Sequence, residues 1–221
     1  MERVWCFLIG YIFGLFQTAM IYGKCKGVDI RTVGSGNAGT TNTLRVFGAK
    51  AGGIVLLGDM LKCIVAILIT YLIFGRNNPE IMYLLKLYTA FGCVIGHDFP
   101  FYMNFKGGKG IAVTSGYIIS MHWTYVLVGA IAFFVPFFTT HFVSLGSLCL
   151  YTCFFIQLIV EGQTGIFHTG MSAMSQSNLI ELYIIAFIMT ALAYFQHRKN
   201  IKKLLTGTER KTYITKKNKL D

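Results

Sequence analysis

Residues 111–160 contain no Asp, Glu, Lys or Arg. A bilayer crossing needs about 20 consecutive apolar residues, so fifty uncharged residues in a row demand an apolar solvent. Other segments agree. Residues 4–23 carry no charge, residues 51–75 are interrupted only by Asp59 and Lys62, residues 81–102 have Lys86 near their start, and residues 179–195 form a last apolar run. Charged residues make up 13% of the 221 and mean hydropathy is +0.58, whereas soluble domains carry about 25% charged residues. The composition argues against a soluble enzyme, and 15% aromatics argue against disorder. A membrane barrel would need alternating strands of about ten residues. The chain therefore reads as one membrane-embedded domain over residues 1–221, an all-α polytopic bundle.

Loop charge sets the expected topology. Residues 24–50 carry Lys24, Lys26, Arg31, Arg45 and Lys50 against Asp29. Residues 161–178 have no Lys or Arg. Residues 198–221 hold nine Lys or Arg against Glu209 and Asp221. The positive-inside rule puts the first of these, the Lys106 turn and the basic tail in the cytoplasm, with the N-terminus outside. The long uncharged run then crosses an odd number of times. Three crossings, broken near His122 and residues 139–141, give seven transmembrane helices; the fallback is five plus a re-entrant segment. Residues 4–23 are too long for a signal-peptide core and read as a retained anchor. The basic tail suits an anionic leaflet and needs no nucleic acid. The six cysteines contain no CxxC pair, so they read as small apolar side chains, not as disulfides or metal ligands.

Three polar segments fall on the expected cytoplasmic face. The first runs Gly34-Ser35-Gly36-Asn37-Ala38-Gly39-Thr40-Thr41-Asn42-Thr43-Leu44-Arg45. The second contains Gly96-His97-Asp98-Phe99-Pro100 and Asn104-Phe105-Lys106-Gly107-Gly108-Lys109-Gly110. The third contains His197-Arg198-Lys199-Asn200 and Gly207-Thr208-Glu209. Glycine allows close backbone approach, and successive N–H groups make a nest for anions. Interleaved Lys and Arg supply countercharge. The chemistry predicts a phosphate-bearing substrate. Gly34-x-Gly36-x-x-Gly39, with Asp59 further on, matches a dinucleotide fingerprint, but a membrane-length apolar run follows in place of a βαβ unit. Gly108-Lys109 is no Walker A, because Met103 and Gly110 occupy the positions of its first Gly and its Ser/Thr.

The three segments, in order and spacing, resemble the signature motifs of the PlsY family, the acylphosphate-dependent glycerol-3-phosphate acyltransferases of bacteria. The match covers residues 34–45, 96–112 and 197–209, and the Gly58-Asp59-x-x-Lys62 stretch looks like a further family feature. Thr40, Cys63 and Val113 depart from the expected pattern at its periphery. The resemblance implies transfer of a fatty acyl group from acyl phosphate to the 1-hydroxyl of sn-glycerol 3-phosphate, giving lysophosphatidic acid and inorganic phosphate. It implies no metal and no cofactor. It implies a multi-pass protein of the bacterial inner membrane with a cytoplasmic-face active site, surrounded by membrane lipids. The enzyme that makes acyl phosphate is the candidate protein partner.

By matched position, Ser35, Arg45, His97 and Lys106 are the candidate catalytic residues. Gly34, Gly36, Asn37, Gly39, Asn42, Gly107, Gly108, Lys109, Gly110, His197 and Asn200 are the candidate substrate-binding residues. Glu209 is expected to brace the tail. Asp59 and Lys62, three apart on one helix face, are expected to form a structural ion pair, since charges in a membrane are normally paired. The proton acceptor stays open between His97 and the departing acyl phosphate. Ser35 also reads as a helix cap, and His97 as a helix-end residue bonded to Asp98. The His-x-x-x-x-Asp of other glycerolipid acyltransferases is absent: the residues five on from the histidines are Tyr102, Leu127, Gly146, Ala173 and Lys202. An anion carrier is the rival from another class, but it should show broken helices and midplane sites in corresponding halves.

Overall fold

The computed structural model describes residues 1–214 and residue 218. Among these residues the structure is all-helical. The helices are α1 (Glu2–Gly14), α2 (Thr18–Cys25), α3 (Thr40–Phe47), α4 (Ala49–Phe74), α5 (Met82–Asp98), α6 (Ile111–Ile119), α7 (Trp123–Thr140), α8 (Val143–Thr164), α9 (Gln176–Gln196) and α10 (Arg198–Leu205).

Among the described residues, five spans are long and apolar enough to cross a membrane: α1 with α2, then α4, α7, α8 and α9. The uncharged run does divide into three pieces, at the His122 cap and at His141, whose φ of 63° ends α7. The first piece is shorter than expected. Helix α6 has nine residues, about 14 Å at 1.5 Å per residue. Helix α5 has 17 residues, about 26 Å; it stops before Phe99-Pro100, where proline disfavours helix at the preceding residue.

The expected first span is two helices, not one. Residues 15–17 break it, with Gln17 extended at φ −101°, ψ 90°. No proline or charge announces this break. Its freed carbonyls are met from other elements: Lys62 Nζ donates to Phe16 O at 2.7 Å, and Tyr102 OH donates to Leu15 O. Gln17 Nε2 in turn donates to His97 O at 2.9 Å.

Helices α1 and α5 meet backbone to backbone. A Cβ on Gly10 would lie 1.9 Å from Thr89 O, and one on Gly92 would lie 2.0 Å from Phe7 O. Gly14 and Gly96 make the equivalent contacts one turn on, at 2.3 Å from Cys93 O and 2.3 Å from Tyr11 O. Two small-xxx-small faces thus interlock, the favoured way to pack helices in lipid. Gly92→Leu is expected to abolish the folded protein, because a side chain there meets a carbonyl and overpacking already costs about 1–3 kcal/mol in softer surroundings. Loss of the monodisperse peak in detergent chromatography is the readout.

The ends of the helices sort into two groups. At one end, Arg3 on α1 pairs with Glu181 on α9 (Nε–Oε1 2.7 Å), Tyr83 on α5 reaches Thr169 O at 2.8 Å, and Lys86 reaches Ser120 O at 3.0 Å. The buried Glu161 carboxylate collects Phe167 N, Thr169 N and Thr169 Oγ1 at 2.6–2.9 Å. That gives residues 161–178, which match no sequence motif, a structural centre. The opposite end gathers the loops after α2 and α5, the start of α8 and the end of α9. The helices α1, α5, α7 and α9 therefore run toward that second end, and α4, α6 and α8 run away from it. All six cysteines are thiols: Cys6, Cys63 and Cys93 buried, Cys149 and Cys153 half-buried, Cys25 exposed.

Candidate active site

Each glycine-basic segment is folded by local contacts. In the first, the buried Asn42 side chain ties the loop together: its Oδ1 accepts from Ser35 N at 2.8 Å, and its Nδ2 donates to Ile30 O and Val33 O, both at 3.0 Å. Gly34 has φ +61°, and a Cβ there would lie 2.3 Å from Asn42 Oδ1. Ser35 is not a helix cap; α3 is capped by Gly39. In the second segment the chain doubles back on α5. Gly107 N donates to Asp98 O at 3.0 Å and Gly108 N to His97 O at 3.1 Å. The third segment is the junction of α9 and α10 at His197.

The three segments line one cavity of about 550 Å³. Four helix N-termini open onto it: Gly39–Thr41 of α3, Gly110–Ala112 of α6, Val143–Ser144 of α8 and Arg198–Lys199 of α10. Helix N-termini present unsatisfied N–H groups and a positive dipole end, a natural anion site. Arg45, Lys106, Lys109, Arg198, Lys199 and Lys203 also line the cavity, against Asp59, Asp98 and Glu209. The balance is cationic, so the cavity favours phosphate. Leu56, Phe133 and Phe195 make an apolar part of the wall.

The two buried histidines present opposite chemistry. Lys62 Nζ donates to Asp59 Oδ1 at 2.9 Å, to Phe16 O at 2.7 Å and to His97 Nδ1 at 2.9 Å. An ammonium has no lone pair, so His97 Nδ1 must accept, and the hydrogen-bond network assigns the ring N–H to Nε2. Thr18 Oγ1 donates to the same Asp59 oxygen at 2.9 Å. His97 is thus bonded to Lys62, not to Asp98. Its Nε2 faces Gly108, where a Cβ would lie 2.0 Å away. His197 Nδ1 lies 2.7 Å from Ala193 O, so that nitrogen carries the hydrogen and Nε2 holds the lone pair. Burial, with Lys109 nearby, pushes His197 down to about 4, so it is neutral near pH 7.

Lys109 Nζ donates to Asn200 Oδ1, and Asn200 Nδ2 donates to Glu209 Oε1 at 2.9 Å. Ser144 Oγ donates to the same Glu209 oxygen at 3.1 Å. Glu209 thus ties its segment to Ser144 on α8 and orients the Asn200 amide that receives Lys109. Burial pulls the Lys109 ammonium down to about 8; Glu209 opposes that shift and Arg45 adds to it. Lys109 is charged below about pH 8 and loses its charge above it. The KM for an anionic acceptor is expected to rise as pH rises through 8, and Lys109→Arg should flatten that rise because guanidinium stays charged. Initial-rate kinetics from pH 6.5 to 9.5 provide the measurement.

Of the residues that the sequence singles out, Ser35, Gly36, Asn37, Gly39, Asn42, Arg45, His97, Lys106, Gly107, Gly108, Lys109, Gly110, His197, Asn200, Asp59 and Glu209 all line the cavity. Gly34 and Lys62 stand behind its wall, one shaping the first loop and the other holding His97. Asn42 lines the cavity with both ends of its amide occupied by the loop. Sequence reasoning did not single out Ser144, Ser147, Gln196, Arg198 or Lys199, which also line the cavity. Arg198 and Lys199 had a signal, their place within the third motif. Ser144 and Ser147 had none, sitting inside the uncharged run.

Comparisons with known proteins agree over most of the chain. The family model described as "Glycerol-3-phosphate acyltransferase" matches residues 4–207. Glycerol-3-phosphate acyltransferase 2 of Thermotoga maritima is 38% identical over 216 residues, covering 96% of this chain and 98% of that one. Glycerol-3-phosphate acyltransferase of Clostridioides difficile is 38% identical over 207 residues, covering 92% of each. Among solved structures, the chain is similar to PlsY (YgiH), an integral membrane glycerol 3-phosphate acyltransferase, in its glycerol 3-phosphate form. The TM-score is 0.80 at 30% identity, over 96% of both chains. The lysophosphatidic acid form of that protein matches with a TM-score of 0.78 at 29% identity, over 97% of each chain.

Proposed function

The chain belongs to the glycerol-3-phosphate acyltransferase family, and on that premise we propose that it moves a fatty acyl group from acyl phosphate to the 1-hydroxyl of glycerol 3-phosphate. The observation that carries this reading is the meeting of three sequence-distant glycine-basic segments and four helix N-termini around one cavity. Two phosphate-bearing substrates need such a surplus of donors and cations, and the apolar wall at Leu56 and Phe133 suits the start of an acyl chain.

Acyl phosphate is already activated, so bringing the reactants together and stabilising a tetrahedral oxyanion suffices. In the step we propose, the glycerol hydroxyl oxygen attacks the acyl carbon. The bond from acyl carbon to phosphate oxygen breaks, and the phosphate leaves with the electron pair. Arg45, Lys106 and the amides of the Ser35 loop hold the acyl-phosphate side. Lys109, Asn200 and the backbone of residues 107–110 hold glycerol 3-phosphate. The His97 Nε2–H serves as a donor to the oxyanion. His197 Nε2 accepts from the attacking hydroxyl, orienting it. His97 offers no lone pair on the cavity side, and His197 is a weak base, so the departing phosphate takes the proton.

The proposal extends to the membrane. The seven apolar segments run alternately between the two ends of the bundle, and the excess positive charge lies at the cavity end. That charge bias supports a cytoplasmic site in a bacterial inner membrane, seven crossings with short α6 included, and an outer N-terminus. Residues 1–221 act as one domain, with the enzyme that makes acyl phosphate as the candidate partner.

The test is a purified enzyme in lipid mesophase given palmitoyl phosphate and glycerol 3-phosphate. Equimolar phosphate and lysophosphatidic acid are expected, both dependent on glycerol 3-phosphate. Loss of one oxyanion donor costs about 10²–10³ in turnover, so His97→Ala should fall by that factor and keep the wild-type pH profile. A His97→Ala enzyme that loses one limb of the profile near neutrality would make His97 the base. Phosphate release without lysophosphatidic acid would contradict the transferase reading.

A further inference from the structure

We infer that Thr212 is a positioning residue for Arg45, and that residues 209–212 form a strap completing the phosphate side of the site from beyond the segment that the family model matches, residues 4–207. The inference rests on the proposed role of Arg45 at phosphate. The sequence places a basic tail from residue 198 onward and marks nothing at Thr212. In the fold Thr212 is 1% exposed, between the exposed Lys211 and the half-buried Tyr213. Its hydroxyl accepts from Arg45 Nη2 at 2.7 Å and from Arg45 Nε at 3.1 Å. The carbonyl of Arg210 accepts from Arg45 Nη2 at 3.3 Å.

The strap is itself anchored. Thr212 N donates to His141 O at 2.9 Å, at the end of α7. The Tyr213 ring lies against the His141 ring, with centroids 4.7 Å apart. Glu209, three residues earlier, ties the same strap to Ser144 on α8 and to Asn200 on α10. The strap thus links Arg45 to the α7–α8 corner, through the Thr212 hydroxyl and the Arg210 carbonyl. A hydroxyl and a carbonyl can fix a guanidinium without adding negative charge beside it. An arginine has many rotamers, so a fixed acceptor on two of its nitrogens selects one and aims the planar group. Thr212 touches no reacting atom; it acts through Arg45.

The experiment compares Thr212→Val, Thr212→Ser, Arg45→Ala and the double variant Arg45→Ala/Thr212→Val, with palmitoyl phosphate and glycerol 3-phosphate as substrates. Valine keeps the shape and removes the acceptor. Thr212→Val is expected to lower kcat about tenfold, within the range for a displaced catalytic group, with Thr212→Ser restoring it. The double variant should match Arg45→Ala. The protection that inorganic phosphate gives against thermal unfolding supplies a second readout where turnover is too low, and Thr212→Val should weaken it only when Arg45 is present. Equal losses in Thr212→Ser and Thr212→Val, or a further loss from Thr212→Val on the Arg45→Ala background, would make the residue a packing element and overturn the inference. Wild-type kinetics in Thr212→Val would overturn it as well. An Arg45→Ala enzyme with wild-type turnover would remove Arg45 from the chemistry, contradicting the site reading itself.

Discussion

A Gly108→Ala enzyme is expected to fold and to lose about a hundredfold in turnover, the cost of misplacing a reacting group by about 1 Å. The added Cβ would lie 2.0 Å from His97 Nε2 and 2.8 Å from the two adjoining ring carbons. The ring has nowhere to go. Its far nitrogen is held by Lys62, and Lys62 is held in turn by Asp59 and the Phe16 carbonyl. The loop must therefore shift, taking Lys106 and Lys109 with it. The backbone of Gly108 does not need glycine for conformational reasons, since its φ lies outside the left-handed range. Thermal midpoint and turnover measured on the same preparation separate the two effects. Unchanged turnover would mean that His97 Nε2 does not face the reacting atoms.

The Lys62 pair yields the second large effect. Lys62 and Asp59 are 6% and 1% exposed, within 2.9 Å of each other. Removing one partner of a buried pair typically costs about 3–5 kcal/mol, because the other charge is left alone. Lys62→Met should therefore give little folded protein. Replacing both partners with well-packed groups of similar volume is often neutral for stability, so Asp59→Asn/Lys62→Met should recover most of the fold, less the hydrogen bond that Phe16 O loses. It should not recover activity. His97 Nδ1 then lacks its obligatory donor, and the ring can place its hydrogen on either nitrogen. The expected result is a stable double variant with turnover lowered at least about tenfold, short of the about 10²–10³ that outright loss of the donor costs, because the ring can still place its hydrogen on Nε2 part of the time. A stable double variant with full turnover would show that the ion pair only holds helices together.

The parts of this molecule that are legible in its sequence share one property: the chemistry sits in contiguous residues. Gly34–Arg45, Lys106–Gly110 and His197–Asn200 carry their residue types side by side, because a backbone nest needs successive N–H groups. The Asp59–Lys62 pair is legible from spacing along one helix. Breaks at His122 and His141 are legible because polar residues interrupt apolar ones. The Gly10/Gly14 and Gly92/Gly96 spacing is also in plain sight, although only the fold shows that the two faces oppose each other.

What stays hidden depends on distance in the chain. The contact of Lys62 with His97 joins residues 35 apart, and that of Arg45 with Thr212 joins residues 167 apart. A single threonine in a basic tail has no pattern to give it away. The broken first span has no proline to mark it; the carbonyls it frees are answered by Lys62 and Tyr102 from other segments. Convergence of four helix N-termini follows from where the helices begin in space. The residues there, such as Val143 and Ile111, are chemically silent.

The central claim is that a cationic, glycine-lined cavity brings acyl phosphate and glycerol 3-phosphate together at one end of a helical bundle. The most direct measurement is a donor comparison on one preparation of the pure enzyme: palmitoyl phosphate, palmitoyl-CoA and palmitoyl-acyl carrier protein, each with glycerol 3-phosphate. Lysophosphatidic acid formation with the acyl phosphate alone, one inorganic phosphate released per acyl group transferred, is the predicted result. Turnover with a thioester and none with the acyl phosphate would contradict the account.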